Sequence, residues 1–492
     1  MAGDEEAFCE NYLLLKPEEA SFFDFLRILF SSNLESKEFC NTGGQGGVIT
    51  DFRHRSIVFV SVLLQKILFL FTKPLAAVGN LVELLLNYPS ANGGFFRLLI
   101  NLVTGKLVRP DRTSVKFTSF VGSIDKRIEL DKSITRGSTK YSASLAIMAS
   151  KLSYENQSFI QNVVTNYWKM QFLDFYNFWN GKQWRSQHRK QLKIVSYCIF
   201  ADHLKINTIA IMIQDKTAEP NLIVVAFRGT EPFDAGAWRA DVDISWYEFD
   251  GIGKIHGGFM KALGLQSSTG WPKELPAATG KTFAYYEIRQ KLKTLIKENW
   301  DAKFVVTGHS LGGALAILFV TILIFHEEDT LLNHLEGVYT FGQPRVGNEQ
   351  FGEWMKGKMS KYRVNYFRYV YTNDMVPRLP YDDKYFLYKH FGPCLYFNSC
   401  YKGQALEEEP NKNYFSLFYL LPKILIAVYE LIRSFIIPWT RGRDYREGWL
   451  MKILRITGLT VPGLTEHLTM DYVNLTRLGK FIYPPNKNRK QI

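Results

Sequence analysis

Cysteine is scarce in this sequence, with five residues among 492, and their spacing fits neither a disulfide framework nor a zinc site. We therefore expect reduced thiols, although Cys394 and Cys400 are near enough in sequence to pair. Residues 1–25 lack the basic start and continuous apolar run of a secretory signal, which predicts a protein that is not exported. No His, Cys, Asp or Glu cluster has metal-ligand spacing, so we expect neither a metal nor an organic cofactor.

Negative charge is also in deficit, because the formal net charge is +13. Such an excess predicts an anionic partner, either nucleic acid or a phospholipid surface. The basic residues are scattered and no nucleic-acid module is recognisable, which excludes nucleic acid and favours a lipid surface. A well-solvated basic surface without a partner is the alternative. Hydrophobic residues at 46% and aromatic residues at 15% indicate a globular chain with a large core.

The longest apolar run covers residues 57–86 and contains three charged residues. A spanning helix needs about 20 apolar residues, but Pro74 is expected to divide this run into two halves that are each too short. Three interpretations remain: a kinked transmembrane helix, a hairpin or in-plane helix in one leaflet, or a helical pair packed on the protein. We favour contact with one leaflet. A second apolar stretch, residues 414–439, is predicted to be broken by Pro422.

Beyond residue 140, short β-branched runs alternate with helical stretches. The predicted helices cover residues 141–155, 160–179, 282–300 and 313–325. The predicted strands cover residues 221–229, 303–308, 336–342 and 364–374. This alternation predicts an α/β fold with a mostly parallel central sheet covered by helices.

The pattern G-x-S-x-G of a nucleophile elbow occurs at residues 308–312, between a predicted strand and a predicted helix. The turn is so tight that a side chain at Gly308 or Gly312 would collide with backbone, while Ser310 projects from the carboxyl end of the sheet. The free N–H groups of the following helix face the position where a substrate oxygen becomes negative. We therefore predict that Ser310 is a nucleophile and that the backbone N–H of Leu311 is an oxyanion donor.

A serine nucleophile needs a base and an acid, which in this fold follow it in the order acid, then histidine. Asp374 is the favoured acid because it lies directly after a predicted strand, at the same sheet edge as the elbow. Asp382 and Asp383 are alternatives in the loop that follows.

Four histidines follow the elbow. His326 and His334 lie too far along or beyond the helix after Ser310 to reach its hydroxyl. His467 is favoured as the base because it lies late in the chain, where a loop can hang over the serine. His390 is the alternative.

Six short blocks between residues 226 and 468 occur in an order that resembles the class 3 lipases. The blocks are residues 226–230, 255–259, 308–313, 340–348, 373–377 and 466–468. Together with the apolar N-terminal region and the apolar insert, they most resemble the plant oil-body triacylglycerol lipases of that class. The core shared by the class 3 family does not account for residues 1–130 or residues 400–460.

This resemblance implies a catalytic triad of Ser310, Asp374 and His467. It also implies a second oxyanion donor at Thr230, through its backbone N–H and its hydroxyl, opposite the N–H of Leu311.

The family's lid would lie within residues 231–240, which include Pro232, Phe233 and Trp238. His256 would be structural.

The resemblance implies an α/β-hydrolase fold with an apolar N-terminal region and an apolar insert between the catalytic Asp and His. We predict an N-terminal region (1–130) whose segment 57–86 associates with lipid. A lipase domain (131–480) with a lipid-facing insert at about 400–460 and a basic tail (481–492) would follow.

The implied activity is hydrolysis of triacylglycerol and other neutral acylglycerols at a lipid-droplet or membrane surface, through an acyl-enzyme. The expected location is the surface of an oil body, or the endoplasmic reticulum membrane, on the cytosolic side. A phospholipase A1 or galactolipid acyl hydrolase is the alternative enzyme. A lipid-surface scaffold on an inactive hydrolase fold is the non-enzymatic alternative.

Overall fold

The computed structural model describes most of the chain, namely residues 9, 11–17, 19–30, 39–43, 49–179, 207–263, 284–380, 382, 388–412, 414 and 416–481. Asp383 and nearly all of the predicted basic tail, residues 482–492, lie outside the described residues.

The strands are short and lie mainly in the second and third quarters of the chain. They are β1 (Asn11–Leu15), β2 (Cys40–Gly43), β3 (Gln171–Trp179), β4 (Asn207–Asp215), β5 (Leu222–Phe227), β6 (Trp246–Phe249), β7 (Gly253–His256), β8 (Lys303–His309), β9 (Leu335–Phe341), β10 (Gly347–Asn348), β11 (Asn365–Tyr371), β12 (Tyr388–Lys389), β13 (Cys394–Phe397), β14 (Lys402–Leu406) and β15 (Lys480–Phe481).

The helices include two long apolar ones, α2 and α13. The helices are α1 (Phe22–Phe30), α2 (Phe52–Ala91), α3 (Phe95–Val103), α4 (Phe120–Ile124), α5 (Thr139–Leu152), α6 (Gln157–Asn162), α7 (Ala235–Val242), α8 (Gly257–Ala262), α9 (Ala284–Glu298), α10 (Leu311–Phe325), α11 (Asp329–Leu332), α12 (Glu349–Tyr362), α13 (Leu420–Arg441), α14 (Trp449–Thr457) and α15 (Thr469–Leu478).

The central sheet has the strand order β15-β14-β13-β11-β9-β8-β5-β4-β3. Its middle strands, from β5 through β8, β9 and β11 to β13, are parallel, whereas β3, β4 and β14 add antiparallel pairs. A second, antiparallel sheet has the order β12-β10-β7-β6-β1-β2. The predicted α/β-hydrolase fold is confirmed, and the chain's N-terminal strand β1 pairs with β6 of the hydrolase body.

Helices cover both faces of the central sheet, so neither face of its middle strands is exposed to solvent. Neighbouring residues of β8 point to opposite sides, with Val306 in the core beneath α10 and Val305 in the core beneath α5. Every residue of α10 from Leu311 to Ile324 is buried. This burial holds the beginning of α10, and hence the turn before it, against the sheet.

One predicted element is wrong in its second half. Residues 160–179 are helical only to Tyr167, where a π-helical turn ends, and Gln171–Trp179 form β3. This segment is rich in Phe, Tyr and Trp, which favour pleated strands. Its antiparallel ladder with β4 along its whole length outweighs the apolar spacing that indicated a helix.

The prediction that Pro74 divides the N-terminal apolar run is also wrong. Residues Phe52–Ala91 form one continuous 40-residue helix with Pro74 and Pro89 inside it. Within the described part of the chain this is the helix long and apolar enough, by length and composition, to cross a membrane.

Contacts on both sides of Pro74 hold α2 on the protein body. Before the proline, the Ser61 hydroxyl donates to the Val242 carbonyl at 2.7 Å. After it, Gly79 lies directly against Phe233, and the Asn87 amide donates to the Thr118 carbonyl at 2.8 Å. A proline in a helix interior costs about 3 kcal/mol, and this packing offsets that cost.

The insert forms α13 and α14, and Pro422 lies in the first turn of α13 rather than breaking the segment. It is the third residue of the helix, in the first turn, where a missing N–H removes no helical hydrogen bond. Buried ion pairs attach both helices to the hydrolase body. Arg455 of α14 contacts Glu430 of α13 at 2.7 Å and Asp471 of α15 at 2.9 Å, and Arg433 contacts Asp471 at 3.0 Å.

The pairing considered for Cys394 and Cys400 does not occur. Both are free thiols, the first buried in β13 and the second exposed beyond it.

The close contact of Phe233 with α2 predicts that alanine has opposite effects on stability at two helical glycines, Gly79 and Gly357. A Cβ at Gly79 would lie 2.5 Å from the Cβ of Phe233, whereas a Cβ at Gly357 in α12 would meet nothing within 4 Å. We expect Gly79→Ala to destabilise the protein by about 1–3 kcal/mol through overpacking. Gly357→Ala should stabilise it by up to about 1 kcal/mol through helix propensity. Thermal unfolding of both variants in one detergent measures the difference, and equal shifts would contradict the packing.

Candidate functional site

The predicted elbow is present between β8 and α10. Ser310 has a φ of +60°, a left-handed backbone that non-glycine residues rarely adopt. A Cβ at Gly308 would collide with the Gly312 carbonyl, and one at Gly312 would collide with the Phe227 carbonyl. Both glycines are therefore required by close backbone approach. Ser310 is held at the carboxyl end of the central sheet, as the sequence predicts.

Asp374 and His467, which are 93 residues apart in sequence, form a direct pair. The Nδ1–H of His467 donates to Oδ2 of Asp374 at 2.8 Å. The carboxylate is fully buried and also accepts the Tyr472 hydroxyl at 2.5 Å and the Val376 N–H at 2.9 Å. The other ring nitrogen of His467, Nε2, is buried without a hydrogen-bond partner among the described residues. It is therefore free to accept a proton.

The end of β9 brings this pair beside the elbow. The backbone N–H of Ser310 donates to the Phe341 carbonyl at 2.9 Å. The next residue, Gly342, has a φ of +60°, and a Cβ there would lie 2.8 Å from Oδ2 of Asp374 and 2.9 Å from Cε1 of His467. The structure thus brings together all three residues of the predicted triad.

His309, inside the elbow motif, supports the backbone of the candidate base. Its Nε2–H donates to the His467 carbonyl at 2.7 Å, and the Tyr154 hydroxyl lies 3.1 Å from its Nδ1. The two imidazole rings are 4.6 Å apart. Burial, and then the nearby charge of His467, lower the pKa of His309 well below its ordinary value. His309 therefore stays neutral and does not oppose a positive charge on His467.

The two predicted oxyanion donors flank the elbow. Leu311 is the first residue of α10, so its backbone N–H has no acceptor within the helix. Thr230 follows Gly229, where a Cβ would lie 3.1 Å from the Cβ of Ser310. The Thr230 hydroxyl donates to Oδ2 of Asp241 at 2.9 Å, which leaves the backbone N–H as its candidate oxyanion donor. Burial raises the pKa of Asp241 to about 7.

The segment predicted as a lid, residues 231–240, contains the start of α7. Phe233 packs edge-on against Phe120, with ring centroids 5.1 Å apart, and the indole N–H of Trp238 donates to the Pro232 carbonyl at 3.2 Å. Because α2 contacts Val242 of α7 through Ser61 and contacts Phe233 through Gly79, this segment lies between the elbow and the N-terminal helix.

The alternative acid and base lie elsewhere. His390 donates from Nε2 to the Pro377 carbonyl at 2.7 Å, and Asp382 is 3.4 Å from Lys412. His256 caps the start of α8, where its ring stacks on Phe259 with centroids 3.9 Å apart. Across the part of the chain that the structure describes, no group of three or more His, Cys, Asp or Glu is placed to hold a metal ion.

Sequence reasoning did not identify Tyr472, Tyr154 or Asp241 as part of the site. Tyr472 and Tyr154 reach their partners across 98 and 155 residues of chain. Asp241 is 11 residues from Thr230, on a helix whose position depends on α2. No local motif marks any of the three, so only a known fold reveals them.

Comparison with known proteins places the chain among lipases. Residues 224–384 match the lipase (class 3) family. The chain is 40% identical to triacylglycerol lipase OBL1 of Arabidopsis thaliana, over 97% of this chain and 96% of that protein. It is 42% identical to the protein of the same name in Nicotiana tabacum, over 89% and 85% of the two chains. It is 35% identical to the protein of the same name in Ricinus communis, over 98% of this chain and 97% of that protein.

The hydrogen bond from Tyr472 to Asp374 predicts a pH effect. In Tyr472→Phe the carboxylate loses a donor, so its charge stabilises an imidazolium at His467 more strongly. We expect ester hydrolysis at neutral pH to fall by about three- to tenfold, and the acid limb of the kcat/KM profile to move up by about half a pH unit. The measurement is hydrolysis of a soluble nitrophenyl ester between pH 5 and 9.

Tyr401→Phe is the matched control, since its buried hydroxyl donates to Asp471 at 3.2 Å and does not contact Asp374. It should lower stability without moving the acid limb. Identical pH profiles for the two variants would show that Tyr472 acts only on stability.

Proposed function

The chain belongs to the class 3 lipase family and is a serine ester hydrolase, and from this premise we propose that it is a triacylglycerol lipase acting through Ser310, His467 and Asp374. The observation that carries the proposal is the Asp374–His467 pair at 2.8 Å beside the elbow, with Nε2 of His467 left without a partner. A buried serine and a buried base at one sheet edge form the arrangement that acyl transfer requires.

The first half of the reaction forms an acyl-enzyme. Nε2 of His467 takes the proton of the Ser310 hydroxyl as its oxygen attacks the ester carbonyl. Asp374 holds the imidazole in the tautomer that leaves Nε2 unprotonated and stabilises the imidazolium. The backbone N–H groups of Leu311 and Thr230 stabilise the negative oxygen of the tetrahedral intermediate. His467 then gives its proton to the departing glyceride oxygen.

The second half repeats these steps with water. His467 takes a proton from water, which attacks the acyl group on Ser310, and the proton returns to the serine oxygen as a fatty acid leaves. Neutral His309 and the hydrogen bonds to Asp374 keep the imidazole fixed through both halves.

The proposed substrate class follows from the relatives named triacylglycerol lipase, which align with nearly the whole chain. Since the same triad hydrolyses any acyl ester, phospholipids and galactolipids are the competing substrates and belong in the test.

We also propose that α2, α3, α13 and α14 bind a lipid surface. Large apolar side chains on these helices are exposed, including Phe96 at 83%, Val103 at 87% and Trp439 at 90%. Contiguous exposed apolar area of this kind is a mark of membrane or partner contact. In this proposal the N-terminal region (1–130) and the insert (about 400–460) form the lipid-facing side of the lipase domain.

The contacts of α2 favour an in-plane orientation over a span. Its anchors to the protein body run from Ser61 to Asn87, which is about 39 Å along a helix. A hydrocarbon core is only about 30 Å thick, so a spanning helix would have to break these anchors. An in-plane helix also suits a droplet monolayer, which has no second aqueous face.

We propose an oil-body surface as the location, with the endoplasmic reticulum membrane as the related bilayer surface, and the cytosolic side for both. The free thiols of Cys394 and Cys400 support a reducing compartment.

The activity test compares fatty-acid release from emulsified triacylglycerol, phosphatidylcholine vesicles and galactolipid vesicles. We expect triacylglycerol to be preferred by at least about tenfold, and Ser310→Ala to lower release by at least about a thousandfold. Ser360→Ala, at an exposed position on α12, is the matched control and should be unchanged. Preference for vesicles would reassign the enzyme as a phospholipase or galactolipase, and release that does not depend on Ser310 would support a scaffold.

The surface test uses flotation with phospholipid-coated triacylglycerol droplets. Burial of a Phe or Trp side chain is worth about 1.5–3 kcal/mol, so Phe96→Glu with Trp439→Glu should weaken droplet binding by at least about tenfold. Trp300→Glu is the control, because Trp300 is 65% exposed but lies next to β8 rather than on the apolar helices. Hydrolysis of a soluble ester should be unchanged in all variants. Equal loss in the control, or no loss in the double variant, would contradict the assignment.

A further inference from the structure

A cavity separate from the triad lies between the C-terminal part of α2, α3, α5 and α14. Its volume is about 570 Å³, within the roughly 300–1,000 Å³ of small-molecule sites. None of Ser310, Asp374, His467 and Thr230 lines this cavity, which we call the α2–α14 cavity.

The mouth of the α2–α14 cavity opens on the proposed lipid-facing surface. Leu85 of α2, Phe95 of α3 and Trp449 of α14 line it and are 58%, 61% and 65% exposed. Farther in, Met148 and Leu152 of α5 are buried apolar lining residues. An acyl chain can therefore enter from the lipid phase without crossing water.

The inner wall carries a cluster of charged groups. Asp125 receives two cations, with Arg127 at 2.8 Å and Lys151 at 3.1 Å. Although burial raises the pKa of Asp125, these cations lower it below its ordinary value, so the carboxylate stays charged. Burial lowers the pKa of Lys151 to about 8, which leaves the ammonium charged at neutral pH. Two positive groups thus face one negative group.

Three further ionisable groups line the cavity. Lys116 and Lys126 are exposed and form no ion pair within the described part of the chain. Glu155 accepts the hydroxyl and backbone N–H of Ser119 at 2.8 and 2.7 Å, and burial raises its pKa to about 7. With every group ionised the lining carries four cations and two anions, and partial protonation of Glu155 increases the positive excess.

We propose that the α2–α14 cavity binds a long-chain fatty acid, with its chain between the apolar walls and its carboxylate near Lys116 and Lys126. The apolar mouth and basic wall complement an anionic amphiphile. A singly charged carboxylate fits better than a phosphate, because Asp125 and Glu155 would repel a second negative charge more strongly. The identity of the ligand rests on the proposed function, since the reaction releases a fatty acid at the surface where the cavity opens.

The test is photolabelling of the full-length Ser310→Ala protein in phosphatidylcholine nanodiscs with a diazirine-bearing hexadecanoic acid. Peptide mass spectrometry should place the label on α5 and α14, at residues such as Met148, Leu152 and Leu450. Unlabelled hexadecanoic acid should compete at least tenfold better than hexadecanol or the corresponding lysophosphatidic acid. Because this variant lacks the nucleophile, labelling does not depend on catalysis.

Two pairs of variants separate specific binding from general adsorption. Lys116→Glu with Lys126→Glu should reduce labelling at least tenfold. Lys106→Glu with Arg109→Glu makes the same change in charge at exposed positions that do not line the cavity, and should not reduce it. Ser90→Trp should fill the cavity and reduce labelling, whereas Ser56→Trp should leave labelling unchanged because Ser56 does not line the cavity. Both serines lie on α2 and donate their hydroxyls to carbonyls of that helix.

Label spread over α13 and the N-terminal half of α2, which do not line the cavity, or equal competition by hexadecanol, would overturn the proposal in favour of simple partition into the apolar surface. Stronger competition by lysophosphatidic acid would overturn the assignment of a carboxylate. If the protein with its native Ser310 does not hydrolyse triacylglycerol while labelling of the cavity is intact, the proposed function is overturned and the cavity remains an acyl-chain site.

Discussion

A carboxylate without access to water is stable in a protein only where hydrogen bonds replace its hydration, and Asp374 is such a group. Its donors are the imidazole of His467, the phenol of Tyr472 and the backbone N–H of Val376. His467 lies in the turn that follows the apolar insert, Tyr472 lies in α15, and Val376 lies in the loop after β11. One buried carboxylate therefore joins the end of the central sheet to the chain segment that follows the insert helices α13 and α14, and the base is in place only when all three parts are assembled.

The insert depends on buried charge of its own. Arg455 and Arg433 converge on Asp471, and Arg455 also pairs with Glu430. Loss of one member of such a cluster leaves an uncompensated buried charge, which costs more than the intact pair contributes. Asp471 is followed directly by Tyr472, so the start of α15 bonds α13 and α14 through Asp471 and bonds Asp374 through Tyr472. The position of α13 and α14 on the body is thereby linked to the site over a single peptide unit.

Local sequence was sufficient for the features that local geometry determines. The elbow at Ser310 needs two glycines, a preceding strand and a following helix, and Asp374 needs only the end of a parallel strand, so short patterns predicted both. Preference for His467 over His390 depended on chain order and is matched by the bond to Asp374. Tertiary contacts decided what failed: pairing with β4 made residues 171–179 a strand, and anchors on both sides of Pro74 kept α2 whole. Tyr472 and Asp241 could not be predicted, because their partners are set by helix packing.

The docking of α2 on α7 has a consequence for the order of synthesis. The last residue of α2 is Ala91 and the last of α7 is Val242, so about 150 residues separate the helix from the partner that covers one side of it. At about 5–20 residues per second, this helix waits roughly 10–30 s after its own synthesis before that partner exists. The wait is longer for β1, because about 230 residues separate it from its partner strand β6. During this interval the apolar surface of a 40-residue helix needs cover from water, and the lipid surface proposed for the finished enzyme would supply that cover before α7 exists.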